Sequence, residues 1–382
     1  MTVAPSALLL VNQSIGPLFA AVVAAARRRQ AVVQFQGLAY RRSPAWARLL
    51  TWGGYSLQLA WHLLIHGRRY QRLLVVSNPP LAPLLAPLAR RPYALLLYDL
   101  YPQVLAQLQP RHPLLRWLLA QLVRLWQRAN RVALARAERV FTLSEAMAAE
   151  LRPAFVSEAG WRSKVVVIPP WADTTQLHPI PPVANPFRRQ HGLDGRLLVS
   201  YSGNLGLTHP LEPLLEAAAQ LNGAVQVLVI GTGPKRRALE QLARQLQLSP
   251  QALRFLDPLP LEQLPLSSAA ADLAVVALDG PAASASLPSK TFTALACGTP
   301  LLALAPRDSA LAALVRQHGC GVVVPPGPTA ATELATVITA LAGDPERCRQ
   351  LGSAALAAAR LYTPANAERL LEEWLGAGSP YS

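Results

Sequence analysis

Lysine is rare in this sequence, and its positions point to phosphate chemistry. The chain has three lysines, Lys164, Lys235 and Lys290, among 36 Lys and Arg residues. Lys235 and Lys290 each lie in a loop rich in glycine or small residues, between an apolar run and a helical segment. A flexible ammonium is not interchangeable with a planar guanidinium, so we interpret both as candidate phosphate ligands. A solvated surface charge is the alternative for each.

Lys290 lies in the first turn of a helix that we predict to begin near Pro288. Proline is favoured in the first helical turn, and Ser286 or Ser289 can contribute to capping. A cation is unfavourable there, because the helix dipole is positive at its N-terminus. An anion bound between Lys290 and the helix start removes this conflict.

Two glycine loops resemble anion sites in their local pattern. In Tyr201–His209, an apolar run ends in Gly203-Asn204, and a helix is predicted to open at about His209–Pro210. Glycine loop amides and a helix N-terminus together accept phosphate. An ordinary tight strand-to-helix turn is the alternative.

The second loop contains Gly231 and Gly233, followed by Lys235 and Arg236. Only two of the three glycines of a dinucleotide fingerprint are present, because Arg236 takes the place of the third. This argues against a NAD site.

These loops follow short apolar runs that alternate with helical segments. Runs that are apolar throughout indicate strands buried on both faces, and the alternation indicates parallel sheets in doubly wound α/β domains. In the first half the predicted strands are Ala7–Val11, Val32–Phe35, Leu73–Ser77, Tyr93–Tyr98, Val140–Leu143 and Val165–Ile168. In the second half they are Leu197–Tyr201, Val225–Ile230, Leu253–Leu256, Leu273–Ala277, Pro300–Leu304 and Gly321–Val323.

A proline-rich irregular stretch at residues 169–190 separates the two series. We therefore predict an N-terminal Rossmann-like domain over residues 1–180 that faces acceptor and membrane. A C-terminal Rossmann-like domain over 181–362 would bind the donor, with a helix and tail over 363–382. Two such domains are expected to face one cleft, because ligands bind at the carboxyl ends of the strands.

Charge and composition exclude a disordered protein and suggest the charge of the binding partner. Residues 1–180 hold 21 Lys and Arg against 6 Asp and Glu, whereas residues 181–382 hold 15 of each. The basic first half suggests an anionic partner, although an arginine-rich genome is the alternative. Hydrophobic residues make up 52 %, which excludes disorder, and three cysteines without paired spacing indicate reduced thiols.

One segment of the first half favours a membrane surface. In Pro113–Arg131, four arginines fall near one stripe of a predicted helix, and leucines with Trp117 and Trp126 fill the remainder. A helix lying on a bilayer has this composition. A helix packed on the core with an arginine solvent face is the alternative. The uncharged residues 1–26 and 49–67 are interrupted by polar residues and glycine, so we predict no spanning helix.

In motif order and spacing, residues 196–376 resemble the retaining glycosyltransferases of family 4, which have the two-Rossmann-domain GT-B fold. The matching motifs are Ser202-Gly203-Asn204, Gly231-Thr232-Gly233-Pro234, Arg254-Phe255-Leu256, Pro288-Ser289-Lys290 and Ala296-Cys297-Gly298-Thr299-Pro300. The first half is similar, more loosely, through Ser77-Asn78-Pro79-Pro80 and Asp99-Leu100-Tyr101-Pro102. These motifs look like the branch that builds O-antigen, capsule and exopolysaccharide.

The resemblance implies a role for each matching position. Gly203 and Asn204 would border the diphosphate of a nucleotide-sugar, and Lys290 would pair with it. The remaining implied donor contacts are the base-facing Phe255 and Leu256, Thr293 near the ribose, His209 at the usual basic position, and the loop residues Gly231, Gly233, Lys235 and Ser289.

The sequence also departs from the family pattern. The family's paired glutamates correspond to Ala285 and Thr293 here. Asp99 follows a predicted strand and either orients an acceptor hydroxyl or caps the next helix, two roles that the sequence leaves equal. No Asp-x-Asp motif occurs, so we predict no cofactor and no required metal.

Together these features predict a glycosyltransferase that transfers sugar from a UDP- or GDP-sugar to a polyprenyl-linked or glycan acceptor in cell-surface polysaccharide synthesis. It would be cytoplasmic and peripheral at the inner face of the cell membrane, bound to anionic lipid by its N-terminal domain and not to nucleic acid. The alternative is a non-catalytic nucleotide-sugar-binding homologue that acts as a partner subunit.

Overall fold

A computed structural model describes residues 7–14, 16–41, 45–102, 112–193, 195–284 and 286–376. The chain divides into two compact units, the first of Met1–Pro170 with Pro364–Ser382 and the second of Trp171–Thr363. The division thus lies after Pro170, within the proline-rich stretch, and the C-terminal segment 364–382 joins the first unit. Within the described ranges, no helix combines the length and apolar character needed to cross a bilayer.

The first unit is built on a parallel six-stranded sheet of order β2-β1-β3-β4-β5-β6. Its strands coincide within one or two residues with the predicted apolar runs, because the layers on either side bury most of the four central strands and part of the edge strands β2 and β6. They are β1 (Leu8–Val11), β2 (Val32–Gln34), β3 (Arg72–Val76), β4 (Tyr93–Leu97), β5 (Arg139–Thr142) and β6 (Val165–Val167).

Helices connect these strands and cover the sheet. In chain order they are α1 (Pro17–Arg29), α2 (Ala45–His66), α3 (Ala82–Leu85), α4 (Pro113–Arg136), α5 (Glu145–Leu151) and α6 (Glu158–Lys164), with α15 (Ala365–Leu375) from the C-terminus. The helix predicted over Pro113–Arg131 is confirmed and extends to Arg136, where Ala137 is its C-cap.

The C-terminal helix α15 packs on α1 through an ion-pair cluster. Arg28 and Arg29 at the end of α1 both pair with Glu368, and Arg29 also contacts Glu372 at 3.0 Å. On the same helix, the Trp374 indole donates to the Glu138 carboxylate at 2.8 Å. Helix α15 is therefore held on the first unit by ion pairs and by its buried apolar side chains.

Replacing Glu368 by alanine is expected to lower the free energy of unfolding by about 1 kcal/mol, since two arginines lose a partly buried partner. Chemical denaturation measures this change. The matched control is Glu346→Ala, which removes an exposed pair with Arg349 and should leave the midpoint unchanged. Equal midpoints for the two variants would show that the α1–α15 cluster does not stabilise the unit.

The second unit has its own parallel six-stranded sheet, of order β12-β11-β10-β7-β8-β9. Its strands again coincide closely with the predicted runs. They are β7 (Leu197–Ser202), β8 (Val225–Ile230), β9 (Leu253–Leu256), β10 (Leu273–Ala277), β11 (Leu301–Leu304) and β12 (Gly321–Val324). The α/β prediction of two doubly wound Rossmann-like folds is confirmed.

The helices of the second unit cover both faces of this sheet. They are α7 (Pro186–His191), α8 (Glu212–Gln220), α9 (Arg236–Gln245), α10 (Leu264–Ser268), α11 (Ser289–Ala296), α12 (Ala310–His318), α13 (Ala330–Ala342) and α14 (Pro345–Ala359). Separate apolar clusters fill the layers on the two faces, one around Leu214 and Leu334 and one around Phe292 and Leu311.

Candidate functional site

The predicted donor residues lie at the carboxyl ends of adjacent strands of the second unit. The chain winds outward from β7 to β9 and then returns to β10 on the other side of β7. This makes the β7–β10 boundary a topological switch point, where loops diverge and leave a crevice for a ligand. The loop after β7 and the segment after β10 meet here, since the Asp279 amide donates to the Thr208 carbonyl at 2.9 Å.

Lys290 and Gly203 are in direct contact across this switch point. A Cβ placed on Gly203 would lie 3.0 Å from the Lys290 Nζ, and the residue has a positive φ of 139°. Glycine is therefore required both for the turn and for the space that the lysine occupies. The structure thus brings together the two residues that the sequence assigned to the diphosphate.

The Tyr201 ring contacts the Lys290 ammonium. The Lys290 Nζ is buried and lies 3.7 Å from the centre of the Tyr201 ring, within cation–π distance. The Tyr201 hydroxyl donates to the Asn204 carbonyl at 2.6 Å. One aromatic side chain in β7 therefore contacts both the lysine and the glycine loop. Sequence reasoning missed this role, although an aromatic two residues before Gly203 was the available signal.

The Gly231–Gly233 loop packs against the Gly203 loop, backbone to backbone. A Cβ on Gly231 would lie 1.9 Å from the Gly203 carbonyl oxygen, and one on Gly233 would lie 2.5 Å from that of Leu205. The Leu205 amide donates to the Thr232 carbonyl at 2.9 Å. These glycines shape the neighbouring loop, which is a packing requirement in addition to any contact with phosphate.

His209 fixes the turn that follows Gly203. Its Nδ1 accepts a hydrogen bond from the Gly206 amide at 3.1 Å, so Nε2 carries the proton of the neutral ring. The Asn204 carbonyl faces Tyr201, as described above. The helix expected to open at His209–Pro210 begins at Glu212, because the Thr208–His209 backbone is engaged with Gly206 and with Asp279.

Lys235 has a different environment from the one expected of a phosphate ligand. Its Nζ pairs with a Glu212 carboxylate oxygen at 2.5 Å and donates to the His209 carbonyl at 3.0 Å. Its side chain is 14 % exposed. The ammonium therefore ties the Gly231 loop to the start of α8, and Glu212, 23 residues away in sequence, neutralises it.

Arg236 lies beside the segment expected to face the base. Its guanidinium donates to the carbonyls of Gly231 and Leu256 at 2.7 and 2.9 Å, and it stacks 4.8 Å from the Phe255 ring centre. Phe255 and Leu256 are half-buried at the end of β9. Arg236, which replaces the third glycine of the dinucleotide fingerprint, therefore stabilises the end of the neighbouring strand β9.

The start of α11 carries the other predicted residues. Ser289 is its exposed first residue, Lys290 follows, and Thr293 is half-buried one turn on. The N-cap is Pro288, and the cap makes no side-chain hydrogen bond, so the predicted capping by Ser286 or Ser289 is wrong. The first-turn amides of α11 therefore lack a serine cap.

Asp99 belongs to the first unit, where it follows β4. The Ser77 hydroxyl accepts hydrogen bonds from the amides of Tyr98 and Asp99, at 2.8 and 3.4 Å. The Asp99 side chain retains solvent-exposed surface, yet protein surrounds it on most sides, and this desolvation raises its pKa above the ordinary value. Residues 103–111, where a helix capped by Asp99 would begin, lie outside the described residues.

Two further predictions concern the family's glutamate positions and the need for a metal ion. Ala285, at one family glutamate position, lies outside the described residues, and Thr293 at the other carries no charge. Within the described ranges, no three His, Cys, Asp or Glu side chains converge to hold a metal ion. The prediction that no metal is required stays a prediction.

Tyr201 supplies a direct test of how Lys290 is positioned. Tyr201→Leu is expected to weaken nucleotide-sugar binding by about tenfold, the loss of a desolvated cation–π contact. Tyr201→Phe keeps the ring and should bind the donor within about threefold of wild type, losing mainly the stability contributed by the hydroxyl. Titration calorimetry measures both constants. Equal weakening in the two variants would contradict a role for the ring.

The second unit is similar in sequence to known glycosyltransferases. Residues 184–357 match the family model of Glycosyl transferases group 1. The chain is 27 % identical over 275 residues to Probable glycosyltransferase WbjE of Pseudomonas aeruginosa, a match covering 69 % of this chain and 64 % of that protein. It therefore spans less than two thirds of the length of this relative.

Solved structures share the whole architecture. Anabaena Alr3699/HepE, crystallised in complex with UDP-glucose, superposes with a TM-score of 0.70 at 20 % identity, covering 97 % of this chain and 99 % of HepE. WaaG, a glycosyltransferase involved in lipopolysaccharide biosynthesis, superposes with a TM-score of 0.69 at 17 % identity, covering 97 % and 100 %. The chain therefore has the GT-B fold, and its residues 184–357 match the glycosyl transferases group 1 family model.

Proposed function

We propose that this protein is a retaining glycosyltransferase of the family 4 type, acting in cell-surface polysaccharide synthesis. It transfers a sugar from a UDP- or GDP-sugar to a polyprenyl-linked or glycan acceptor at the inner face of the membrane. HepE, whose fold it shares, was crystallised with UDP-glucose, which supports a nucleotide-sugar donor. WaaG, which is involved in lipopolysaccharide biosynthesis, supports the polysaccharide assignment.

The observation that carries this proposal is the contact between Lys290 and Gly203 at the switch point of the second sheet. The buried Lys290 ammonium, the Gly203 loop and the start of α11, which has no side-chain cap, lie together at this crevice. Positive charge placed in advance beside backbone N–H groups is what a departing diphosphate requires. The other candidate donor residues lie on the neighbouring strand ends.

The chemistry follows from this placement. The bond between the anomeric carbon and the diphosphate oxygen breaks, and the electron pair leaves with the nucleoside diphosphate. The acceptor hydroxyl oxygen bonds to the same face of that carbon, and its proton passes to the departing diphosphate. Lys290 stabilises the charge that develops on the leaving group. No protein carboxylate is needed as a nucleophile, which agrees with the uncharged Thr293.

We propose that Asp99, in its ionised carboxylate form, orients the acceptor hydroxyl. Because its pKa is raised, activity that depends on the ionised form should fall on the acid side at a higher pH than for an ordinary Asp. In Asp99→Asn that acid limb should disappear along with most activity. A pH–rate profile of the variant that keeps the same acid limb would remove Asp99 from the mechanism.

Helix α4 supports contact with an anionic membrane. Its outward-facing Leu114, Trp117 and Leu125 are 57, 57 and 66 % exposed, and Arg124 and Arg128 are exposed beside them. A helix that packs only on the core would bury these large side chains. Exposed apolar and tryptophan side chains with interspersed arginine suit the boundary between headgroups and acyl chains.

The proposal is tested by turnover. Purified protein is incubated with each of a panel of labelled UDP- and GDP-sugars and a bacterial polyprenyl-linked acceptor extract, and labelled lipid product is separated by chromatography. Product with one donor, absent in Lys290→Ala, is the expected result. Tight donor binding without any turnover would favour the non-catalytic partner subunit, which is the second candidate because both family glutamates are absent, at Ala285 and Thr293.

A further inference from the structure

The outward face of α2 carries a continuous apolar stripe. At 100° per residue its exposed large side chains fall within about 160° of the helix circumference. They are Trp46, Leu49, Leu50, Leu57, Trp61, Leu64 and Ile65, each at least 50 % exposed. The opposite side, with Tyr55, Leu59 and Leu63, is buried in the first unit.

This arrangement is unusual for a helix whose outer face meets only water. Leu57 and Trp61 are 75 and 69 % exposed, and Arg48 is the one charged residue between positions 45 and 66. A helix of 22 residues is about 33 Å long, so the stripe runs along a large part of the unit. Contiguous exposed apolar surface of this extent marks a partner or a membrane.

Helix α4 places a second apolar face in the same layer. Both α2 and α4 pack against α3 and the following turn at 86–89. Right-handed crossovers β2-α2-β3 and β4-α4-β5 put the two helices on one face of the sheet. Tyr101 joins them, with its ring edge-on to Trp52 of α2 at 6.3 Å and stacked on Trp126 of α4 at 6.1 Å.

The charge of the residues around α2 and α4 indicates which kind of partner binds this apolar surface. Residues 1–137 contain 17 arginines and a single acid, Asp99. Neither α2 nor α4 contains an acidic residue, and Arg68 and Arg69 are exposed directly after α2. A protein partner would need acidic groups at matching places, whereas an anionic bilayer offers negative charge over its whole surface and an apolar layer beneath it.

We propose that α2 and α4 together form one docking surface for an anionic phospholipid bilayer, with the α2 stripe inserted among the acyl chains and the α4 arginines among the headgroups. This inference deepens the proposed function, since it names the lipid contact and assigns its apolar part to α2. Because its buried side is packed on the first unit, α2 lies along the bilayer and does not cross it.

The experiment is flotation of the full chain with vesicles of phosphatidylcholine alone or mixed with phosphatidylglycerol, without sugar donor. Wild type should float with the mixed vesicles. Leu57→Glu should partition onto the mixed vesicles about tenfold less than wild type. The variant loses one large side chain from the acyl region, and the glutamate brings a negative charge close to that region. The matched control is Leu261→Glu, at a 65 % exposed leucine of the second unit, which should partition as wild type.

A second variant separates the two contributions. Arg124→Gln with Arg128→Gln should lower partitioning onto vesicles that contain phosphatidylglycerol by about fivefold per arginine and weaken its dependence on salt, while leaving the effect of Leu57→Glu in place. Far-UV circular dichroism checks that each variant is folded, which its exposed position favours.

Two results would overturn this proposal. The first is wild-type protein that floats with neither vesicle, which would leave the stripe to a protein partner. The second is Leu57→Glu that floats as wild type does. Donor binding is measured independently, by thermal shift without vesicles. Failure of the docking surface would change only the flotation result, whereas failure of the glycosyltransferase assignment would change only the thermal shift.

Discussion

Replacing Lys290 by alanine is expected to lower kcat/KM for sugar transfer by about 10²–10³-fold, the cost of removing one preorganised charge from a leaving-group site. Its Nζ is buried against the Tyr201 ring and lies beside Gly203, so the variant removes the charge from the point where the diphosphate is proposed to bind. Donor affinity should fall as well, since the diphosphate is charged before the reaction begins.

Two further lysine variants make this result interpretable. Lys290→Arg keeps the charge but replaces a compact ammonium by a planar group that the Gly203 contact leaves little room for, so it should recover little activity. Lys164→Ala is the control, because Lys164 lies in the first unit and donates to the Ala135 carbonyl. It should keep wild-type kinetics. Wild-type kcat/KM in Lys290→Ala would place the leaving-group charge elsewhere.

The substitution Gly231→Ala is expected to destabilise the second unit by about 3 kcal/mol or more and to abolish donor binding. The new Cβ would lie 1.9 Å from the Gly203 carbonyl oxygen, and φ at this position is 134°. Both loops consist of backbone at the point of contact, so the clash cannot be relieved by a side-chain rotation. The Gly203 loop must move, and with it the surface against which Lys290 is held.

Gly343→Ala is the matched control in the same unit. This glycine ends α13 with φ of −81°, and the nearest atom to an added Cβ is 3.6 Å away. Its urea midpoint should equal that of wild type or rise slightly, because alanine reduces the entropy of the unfolded chain. If Gly231→Ala unfolds at the same urea concentration as Gly343→Ala, the two glycine loops do not pack as described.

The strands were predictable because parallel strands are buried on both faces. Val225–Ile230 is apolar except for Gln226 and is β8 with the same limits, and its neighbours follow a similar pattern. The positions of Lys290 and Gly203 were predictable for a related reason. Alternating strands and helices place every loop after a strand at one edge of the sheet, so residues far apart in sequence are brought together.

The partners of charged side chains could not be read from the sequence. Whether Lys235 binds phosphate or Glu212 depends on how the Gly231 loop turns toward α8, and 23 residues separate the pair. The helix start at Glu212 was misplaced because hydrogen bonds from Gly206 and Asp279 hold the preceding turn. Such contacts depend on backbone paths that local propensity does not determine.

The exposure of apolar helix faces could not be predicted from the periodicity of the sequence either. The sequence of residues 49–67 does not predict which apolar side chains are exposed, because an apolar run has the same composition whether protein covers it or not. The structure separates the two cases within one helix, with Leu59 buried and Leu57 75 % exposed. Likewise, the ion pairs of Arg28 and Arg29 decide that α15 belongs with the first unit.

Thermal unfolding in the presence of UDP-, GDP-, ADP- and TDP-sugars, for wild type and Lys290→Ala, tests the central claim most directly. Donor at 100 times its dissociation constant should stabilise the folded state by about 2.7 kcal/mol. The account predicts a clear upward shift of Tm with one nucleotide class, lost in Lys290→Ala and retained in Lys164→Ala. A shift that is equal in wild type and Lys290→Ala would contradict the diphosphate site at Lys290 and Gly203, and no shift with any donor would contradict nucleotide-sugar binding itself.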